Sequence, residues 1–280
     1  MAADLRLGIA LLLLLGAAAG ALTAARIRVR RQVVVAAVRA TVQLAAIGVV
    51  LGLVFRYPVG AAVVLAVMLT TASRTAARRL SDLSGATRAV LAASLAGALC
   101  TLVIAFGTGA VAFSVRYVVA LSGITLGGTM TACTLAGRHL LSGIRTRREE
   151  VEGWLALGAS PRQAVQDIAR TAAGEALLPA IDQTRTVGLV TLPGAFVGAL
   201  FGGASPGNAA RFQLVVLVGL LAAEGVAAVT LTWLLGAPSP LPLAPVEAAP
   251  APAPRTLRLP RPRPVGQARA LRLSRRRGVG

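Results

Sequence analysis

The chain has 280 residues, of which 56% are hydrophobic and only 14% are charged, and its mean hydropathy is +0.74. All 29 basic residues are arginine, and with 10 acidic residues they give a formal net charge of +19. A soluble globular domain usually has about a quarter of its residues charged, so this composition argues against one. Because lysine is absent, the chain can hold neither a P-loop nucleotide site nor a Schiff-base linkage such as that of a retinal protein.

The residues that most often build catalytic or metal centres are scarce. Cys100 and Cys133 lie far apart within apolar stretches, so they indicate neither a disulfide framework nor a zinc site. His139 is the single histidine, and no cluster of acidic residues stands near it in the sequence. A membrane-embedded enzyme needs such a dyad or metal centre, so the sequence favours a protein that is not an enzyme.

Long apolar segments with at most one charged residue each dominate the chain, and the charged residues are Arg39 in 33–55 and Glu224 in 212–235. A helix needs about 20 apolar residues to cross a bilayer, and stretches of this kind occur at 7–25, 33–55, 57–73, 89–115, 117–137, 186–210 and 212–235. They are too long and too rich in Gly and Ala for strands. We therefore expect an all-α membrane protein with seven transmembrane helices.

The first stretch also resembles a signal peptide, because small residues follow its leucine-rich centre. Four arginines come directly after it, at 26, 28, 30 and 31. Positive charge at that place resists translocation and favours a retained helix.

The arginines between the predicted helices are unevenly distributed. The connections 26–31, 74–88 and 138–185 contain four, four and seven arginines, whereas the alternate connections contain one each. Positively charged connections stay on the cytoplasmic side of a membrane. We expect the amino terminus outside and the carboxyl terminus in the cytoplasm, in a multi-pass protein of the plasma or inner membrane.

Residues 237–280 differ in composition from the transmembrane domain predicted at 1–236. Ten prolines fall between 238 and 264 and nine arginines between 255 and 277, and Glu247 is the only acidic residue. Such a segment cannot bury a core, so we expect a disordered cytoplasmic tail. Binding of this tail to anionic lipid or RNA is the alternative. The lack of interleaved aromatic residues argues against nucleic acid.

The connection at about 142–185 is much longer than the few residues that usually join packed helices. In its first part Arg148 can pair with Glu152 four residues later, as in a helix. Gly158 then predicts a helix end, and Ser160 followed by Pro161 predicts the start of a second helix.

Both predicted helices of this connection are amphipathic. The apolar positions at helical spacing are Val151, Trp154 and Leu155 in the first and Ala164, Val165, Ile168, Ala169 and Ala172 in the second. The sequence therefore predicts a cytoplasmic helix–turn–helix. It either packs on its own bundle or docks into a groove of a partner.

Several segments carry a family resemblance. They are VRATVQL at 38–44, LALGASPRQA at 155–164, ALLPAID at 176–182, TVGLVTLPG at 186–194, SP at 205–206 and RFQL at 211–214. Together they resemble the permease subunits of FetB-type iron-export ABC transporters, whose plant relatives act in aluminium tolerance. So many ordered segments make chance similarity improbable.

The resemblance implies a membrane permease that exports iron or another metal species. It also implies a homodimer joined to two separate FetA-like ATPase subunits, which would bind ATP and Mg while this chain binds no cofactor and no nucleic acid. The residues expected to meet the ATPase are Glu149, Glu152, Trp154, Leu157, Gly158, Ala159 and Ser160. An ABC permease for a nucleotide sugar or another small anion is the alternative that the plant relatives suggest.

A looser likeness to the coupling loop of ABC importers supports docking of an ATPase. In that loop a glutamate is followed by a glycine six residues later and an isoleucine ten residues after that. Here the three positions are Glu152, Gly158 and Ile168.

Polar residues within the predicted helices indicate a route for the cargo, because an ionised group in hydrocarbon costs about 3 kcal/mol. The candidate residues are Arg39, Gln43, Thr129, Met130, Asp182, Pro193 and Glu224. Alternatively, Arg39 and Glu224 form a structural ion pair, the threonines bond to their own backbone, and Pro193 makes a static kink instead of a hinge. The metal ligands stay open, because the sulfur of Met130 or Cys133 suits soft metals better than iron.

Overall fold

A computed structural model describes residues 2–27, 29–54 and 58–237 of the chain. These residues form α1 (Ala2–Ala24), α2 (Arg30–Val54), α3 (Pro58–Arg78), α4 (Ala86–Gly107), α5 (Val115–Thr146), α6 (Arg148–Ala156), α7 (Pro161–Thr186), α8 (Gly194–Phe201) and α9 (Pro206–Leu235). Within these ranges the extended structure is limited to one bridge between Val187 and Thr191. The all-α prediction is confirmed, whereas the predicted disordered tail at 238–280 lies outside the described residues.

Within the part of the chain that the structure describes, six helices are long and apolar enough to cross a membrane, namely α1, α2, α3, α4, α5 and α9. Helices α4, α5 and α9 form the centre of the bundle, and α3 packs on α4 and α5. Helices α1 and α2 contact each other, and α2 also contacts α3, but their apolar side chains are mostly exposed. Such surfaces suit contact with lipid.

Contacts between helices show how α5, α7 and α9 run relative to one another. Tyr117 near the start of α5 packs on Phe212 near the start of α9, with ring centroids 5.2 Å apart, so α5 and α9 run parallel. Helix α7 runs against both: its Glu175 reaches His139 of α5, and its Ala169 lies beside Gly236 at the end of α9. The chain therefore returns across the bundle between the start of α7 and the start of α9.

The predicted transmembrane helix at 186–210 is wrong. Helix α7 ends at Thr186, residues 187–193 are not helical, α8 has only 8 residues, and α9 begins at Pro206. Backbone conformation explains the interruption, because Gly188 and Gly203 adopt φ values of +82° and +88°. The return across the bundle is made by α7 and α8.

Helix α5 continues beyond its predicted end at 137. It has 32 residues and is about 48 Å long, which exceeds the bilayer core of about 30 Å. The extension packs on α7, and a Cβ atom added at Gly143 would meet the side chain of Ile168. It carries α6 and the start of α7 beyond the apolar part of the bundle.

Candidate functional site

The helix–turn–helix predicted after α5 is present. Helices α6 and α7 are joined by residues 157–160, and Gly158 adopts a φ of +89°, which suits the glycine that was predicted to end the first helix. Ser160 caps α7: its hydroxyl accepts from the backbone N–H of Gln163, and the Gln163 side chain accepts from the backbone N–H of Ser160. We call residues 148–170 the hairpin.

Ion pairs stabilise the first turn of the hairpin. Arg148 donates to Glu152 at 2.7 Å, as the sequence predicted, and Arg147 makes two hydrogen bonds to Glu150, at 2.5 and 2.7 Å. The Arg147 bond lowers the pKa of the Glu150 carboxyl and raises that of the guanidinium. All four groups are partly open to solvent, so these pairs order the surface more than they stabilise the fold.

The apolar inner face of the hairpin packs on the bundle. Val151, Val165 and Ile168 are buried in the same cluster as Leu140 and Ile144 of α5. These residues form a continuous core with the ends of α5 and α9. The hairpin is therefore a fixed part of the bundle, and the side of it that faces away from the bundle is left on the protein surface.

That outer face contains the residues predicted to meet an ATPase. Ala159 is half-buried. The other six are exposed, namely Glu149, Glu152, Trp154, Leu157, Gly158 and Ser160. Trp154 and Leu157 are 51% and 82% exposed, although both are large and apolar. They line a cleft of about 540 Å³ between α6 and α7 together with charged residues that include Arg147 and Asp167. Exposed aromatic and apolar side chains beside charged groups are typical of a protein-docking surface.

Three contacts that the sequence did not reveal lie around the hairpin. Arg145 at the end of α5 pairs with Asp82 in the connection between α3 and α4 at 2.6 Å, and His139 of α5 contacts Glu175 of α7 at 3.1 Å. The Arg162 guanidinium lies 4.3 Å from the ring centroid of Trp233, in a cation–π contact. Each contact joins residues far apart in sequence, so no local pattern could have predicted it.

The predicted path residues lie in separate places. Glu224 is 7% exposed on α9, facing Gly128 of α5, and no hydrogen-bond or ion partner is found for it in the described part of the chain. Thr129 is buried and donates to the Leu126 carbonyl at 3.1 Å, whereas Met130 is half-buried against the core. The threonine therefore bonds to its own helix.

The remaining path residues lie on outer surfaces of the bundle. Arg39 and Gln43 are exposed on α2, which contacts only α1 and α3 among the described helices. An ion pair between Arg39 and Glu224 within one chain is therefore wrong. Asp182 is exposed on α7 and lies 3.9 Å from Arg185.

Pro193 does not bend a helix, because it lies in the non-helical segment and caps α8. Among the residues that the structure describes, no group of three or more His, Cys, Asp and Glu side chains could hold a metal ion.

These features define a multi-pass helical membrane protein with an attached amphipathic hairpin. Residues 5–237 match the family described as Uncharacterised protein family (UPF0014), and the chain belongs to it. The match includes every described helix from α2 to α9 and most of α1. The family resemblance found in the sequence is thereby confirmed.

Similar proteins come from bacteria and plants. The chain is 33% identical to UPF0014 membrane protein YjkA of Bacillus subtilis over 73% of its own length and 82% of that protein. It is 35% identical to UPF0014 membrane protein STAR2 of Oryza sativa, over 75% and 74%. It is 29% identical to "Probable iron export permease protein FetB" of Escherichia coli, over 70% and 76%. No solved structure matches the chain.

Proposed function

We propose that this chain is the membrane-spanning permease subunit of an ABC transporter that exports iron. The observation that carries the proposal is the hairpin with exposed Trp154 and Leu157, in a chain similar to a protein named as an iron export permease. Two copies of the chain and two separate ATPase subunits form the complex. This chain is not the catalytic subunit, and ATP and Mg bind to its partner.

The hairpin transmits force from the ATPase to the bundle. Seven residues between Glu149 and Ser160 are predicted to contact the ATPase. They lie in α6 and in the turn that follows it, and Trp154 is the aromatic residue that anchors the contact. Movement of the hairpin reaches α5 through Ile168, which lies against Gly143, and reaches α9 through Arg162, which lies over Trp233. Because these contacts join the hairpin to two central helices, a push on the turn displaces the bundle and not a loose loop.

The proposal is tested first by capture of the ATPase. The double variant Trp154→Ala, Leu157→Ala removes the apolar centre of the docking surface, and we expect at least tenfold less ATPase subunit to co-purify in detergent. Val59→Ala is the matched control, because Val59 is 80% exposed on α3 outside the hairpin. Full capture by the double variant contradicts docking at the hairpin.

The orientation is tested with Ala159→Cys in a Cys100→Ala background, in which the remaining Cys133 is fully buried. A membrane-impermeant maleimide should label this cysteine only after the cells are opened. Labelling of intact cells would place the hairpin outside, away from nucleotide. The cargo is tested separately by release of radioactive iron from loaded cells, which should slow when the gene is deleted.

A further inference from the structure

The outward face of α7 carries charge at the depth of the bilayer core. Glu175 meets His139 just beyond the apolar part of α5, which places this pair at the membrane edge. From Glu175 to Arg185 the helix rises about 15 Å, roughly half of the bilayer core. Asp182 and Arg185 therefore lie near the middle of the membrane, and their side chains are 71% and 76% exposed. Charged groups at that depth do not face lipid.

The segment after α7 is also incompatible with lipid. Residues 187–193 are not helical, and Val187, Gly188, Leu192 and Pro193 line a cavity together with Gln213 and Leu217 in the first half of α9. Tyr117, which packs on Phe212 near the start of α9, marks the outer interface of the membrane, because tyrosine prefers that zone. The segment is therefore inside the outer half of the bilayer, where irregular backbone must be covered by protein or water.

The described part of the same chain does not cover this surface. Leu189 and Val190 are 90% and 77% exposed, and none of the residues of α8 is buried. Helix α8 contacts only α9, and Cβ atoms added at Gly194 and Gly198 would meet no atom within 4 Å. We call the outward side of α7 from 175 to 186, together with 187–201, the α7–α8 face.

We propose that the α7–α8 face is the surface through which two copies of this chain associate in the membrane. The two-fold axis runs along the membrane normal, so the two copies of α7 face each other at equal depth. Because Asp182 and Arg185 lie only one helix turn apart, the two carboxylates and the two guanidinium groups of both copies come together around the axis as one group of four charges that sum to zero. The face is thus complementary to itself in charge, and its apolar residues Leu189, Val190 and Phe201 are covered in the same contact.

This interface rests on the two-copy assembly of the proposed function, but it involves neither the ATPase nor the cargo. It follows from the exclusion of charged groups and irregular backbone from lipid. It also puts the polar groups of both α7 helices next to one another, at the place where a route between two copies would pass.

The test is cysteine cross-linking in native membranes, in the Cys100→Ala background. Leu189→Cys and Val190→Cys are expected to give a disulfide-linked dimer on mild oxidation. Val103→Cys is the matched control: it is 67% exposed on α4, and the contact between Thr101 and Gly219 places it at a similar depth along α9. The control and the unsubstituted background are expected to stay monomeric on the gel.

A charge exchange tests the pairing independently of cross-linking. Asp182→Arg places like charges across the axis and should reduce dimer recovery in mild detergent at least fivefold, and adding Arg185→Asp should restore it. Cross-linking at Val103 without cross-linking at Leu189 and Val190 would overturn the proposal. So would a monomeric native mass, or reaction of both loop cysteines with a water-soluble maleimide without any dimer, since that result makes the face a water-filled wall. None of these outcomes depends on whether an ATPase is captured.

Discussion

Gly97 of α4 lies directly against the backbone of Ala223 in α9, so closely that a Cβ atom added at Gly97 would overlap the Ala223 carbonyl oxygen. One turn further along, the Thr101 hydroxyl donates to the Gly219 carbonyl at 2.8 Å. Small residues allow close helix contact in a membrane, where the hydrophobic effect does not drive helices together. The centre of the bundle therefore depends on glycine at this crossing.

Replacing Gly97 with alanine should destabilise the bundle. The new methyl group meets backbone and not a flexible side chain, so α4 and α9 must separate, at a cost of about 1–3 kcal/mol. The measurement is the midpoint of thermal unfolding in detergent. Gly225→Ala is the control, because a Cβ atom there meets nothing within 4 Å, and alanine in an open helix position is neutral or stabilising by up to about 1 kcal/mol. Equal midpoints for the two variants would contradict the close contact.

The hairpin was predictable because its signals are local. Gly158, Ser160 and Pro161 lie in or next to the turn between α6 and α7. Each of them affects the backbone conformation only within about four residues of itself. The spacing of Val165, Ile168 and Ala172 also indicated the buried face of α7, since periodicity needs no knowledge of the neighbouring helix. The exposure of Trp154 did not follow from spacing, because spacing grouped Trp154 with the buried Val151, yet Trp154 is 51% exposed.

The return across the bundle was not predictable in the same way. Apolar length made 186–210 look like a transmembrane helix, although Gly188, Pro193 and Gly203 interrupt it. Helix α7 is polar enough to look like a solvent-exposed helix, and its position depends on contacts with α5 and α9. Composition measures affinity for lipid, and it cannot identify a helix that is covered by other protein.

Gly158 is expected to be more sensitive to substitution than a helical glycine of the same hairpin. Its φ of +89° disfavours any residue with a Cβ atom, so Gly158→Ala should cost about 1 kcal/mol or more and loosen the turn. Gly153→Ala is the control, since Gly153 lies within α6 with open space around it. Amide hydrogen exchange across 148–170 should become faster in Gly158→Ala and stay equal or become slower in Gly153→Ala. The reverse order would show that the turn has another conformation.

The contact between Arg162 and Trp233 should restrain the start of α7. A partly exposed cation–π contact contributes about 0.5–1 kcal/mol, so Arg162→Ala should speed amide exchange at 161–170 by about two- to fivefold. Arg170→Ala provides the control, because that side chain is 70% exposed and, among the described residues, pairs with Asp167 of the same helix, at 3.5 Å. If both variants exchange alike, the contact does not tether the hairpin to α9.

Glu224 offers the sharpest separation of transport from stability. Its carboxyl is buried against Gly128 and lacks an ion partner in the described ranges. An ionised carboxyl at this place destabilises the fold, so we expect it to serve transport. Glu224→Gln keeps the shape and removes the charge; we expect an unchanged or higher unfolding midpoint together with at least tenfold slower release of iron from loaded cells. Asp4→Asn is the control acid, because Asp4 lies at the start of α1, which contacts only α2 among the described helices, and this variant should leave the release rate within about twofold. A Glu224→Gln variant that releases iron at the normal rate would show that this carboxyl is not on the route, whereas a lower midpoint with proportionally lower protein levels would assign it to the fold.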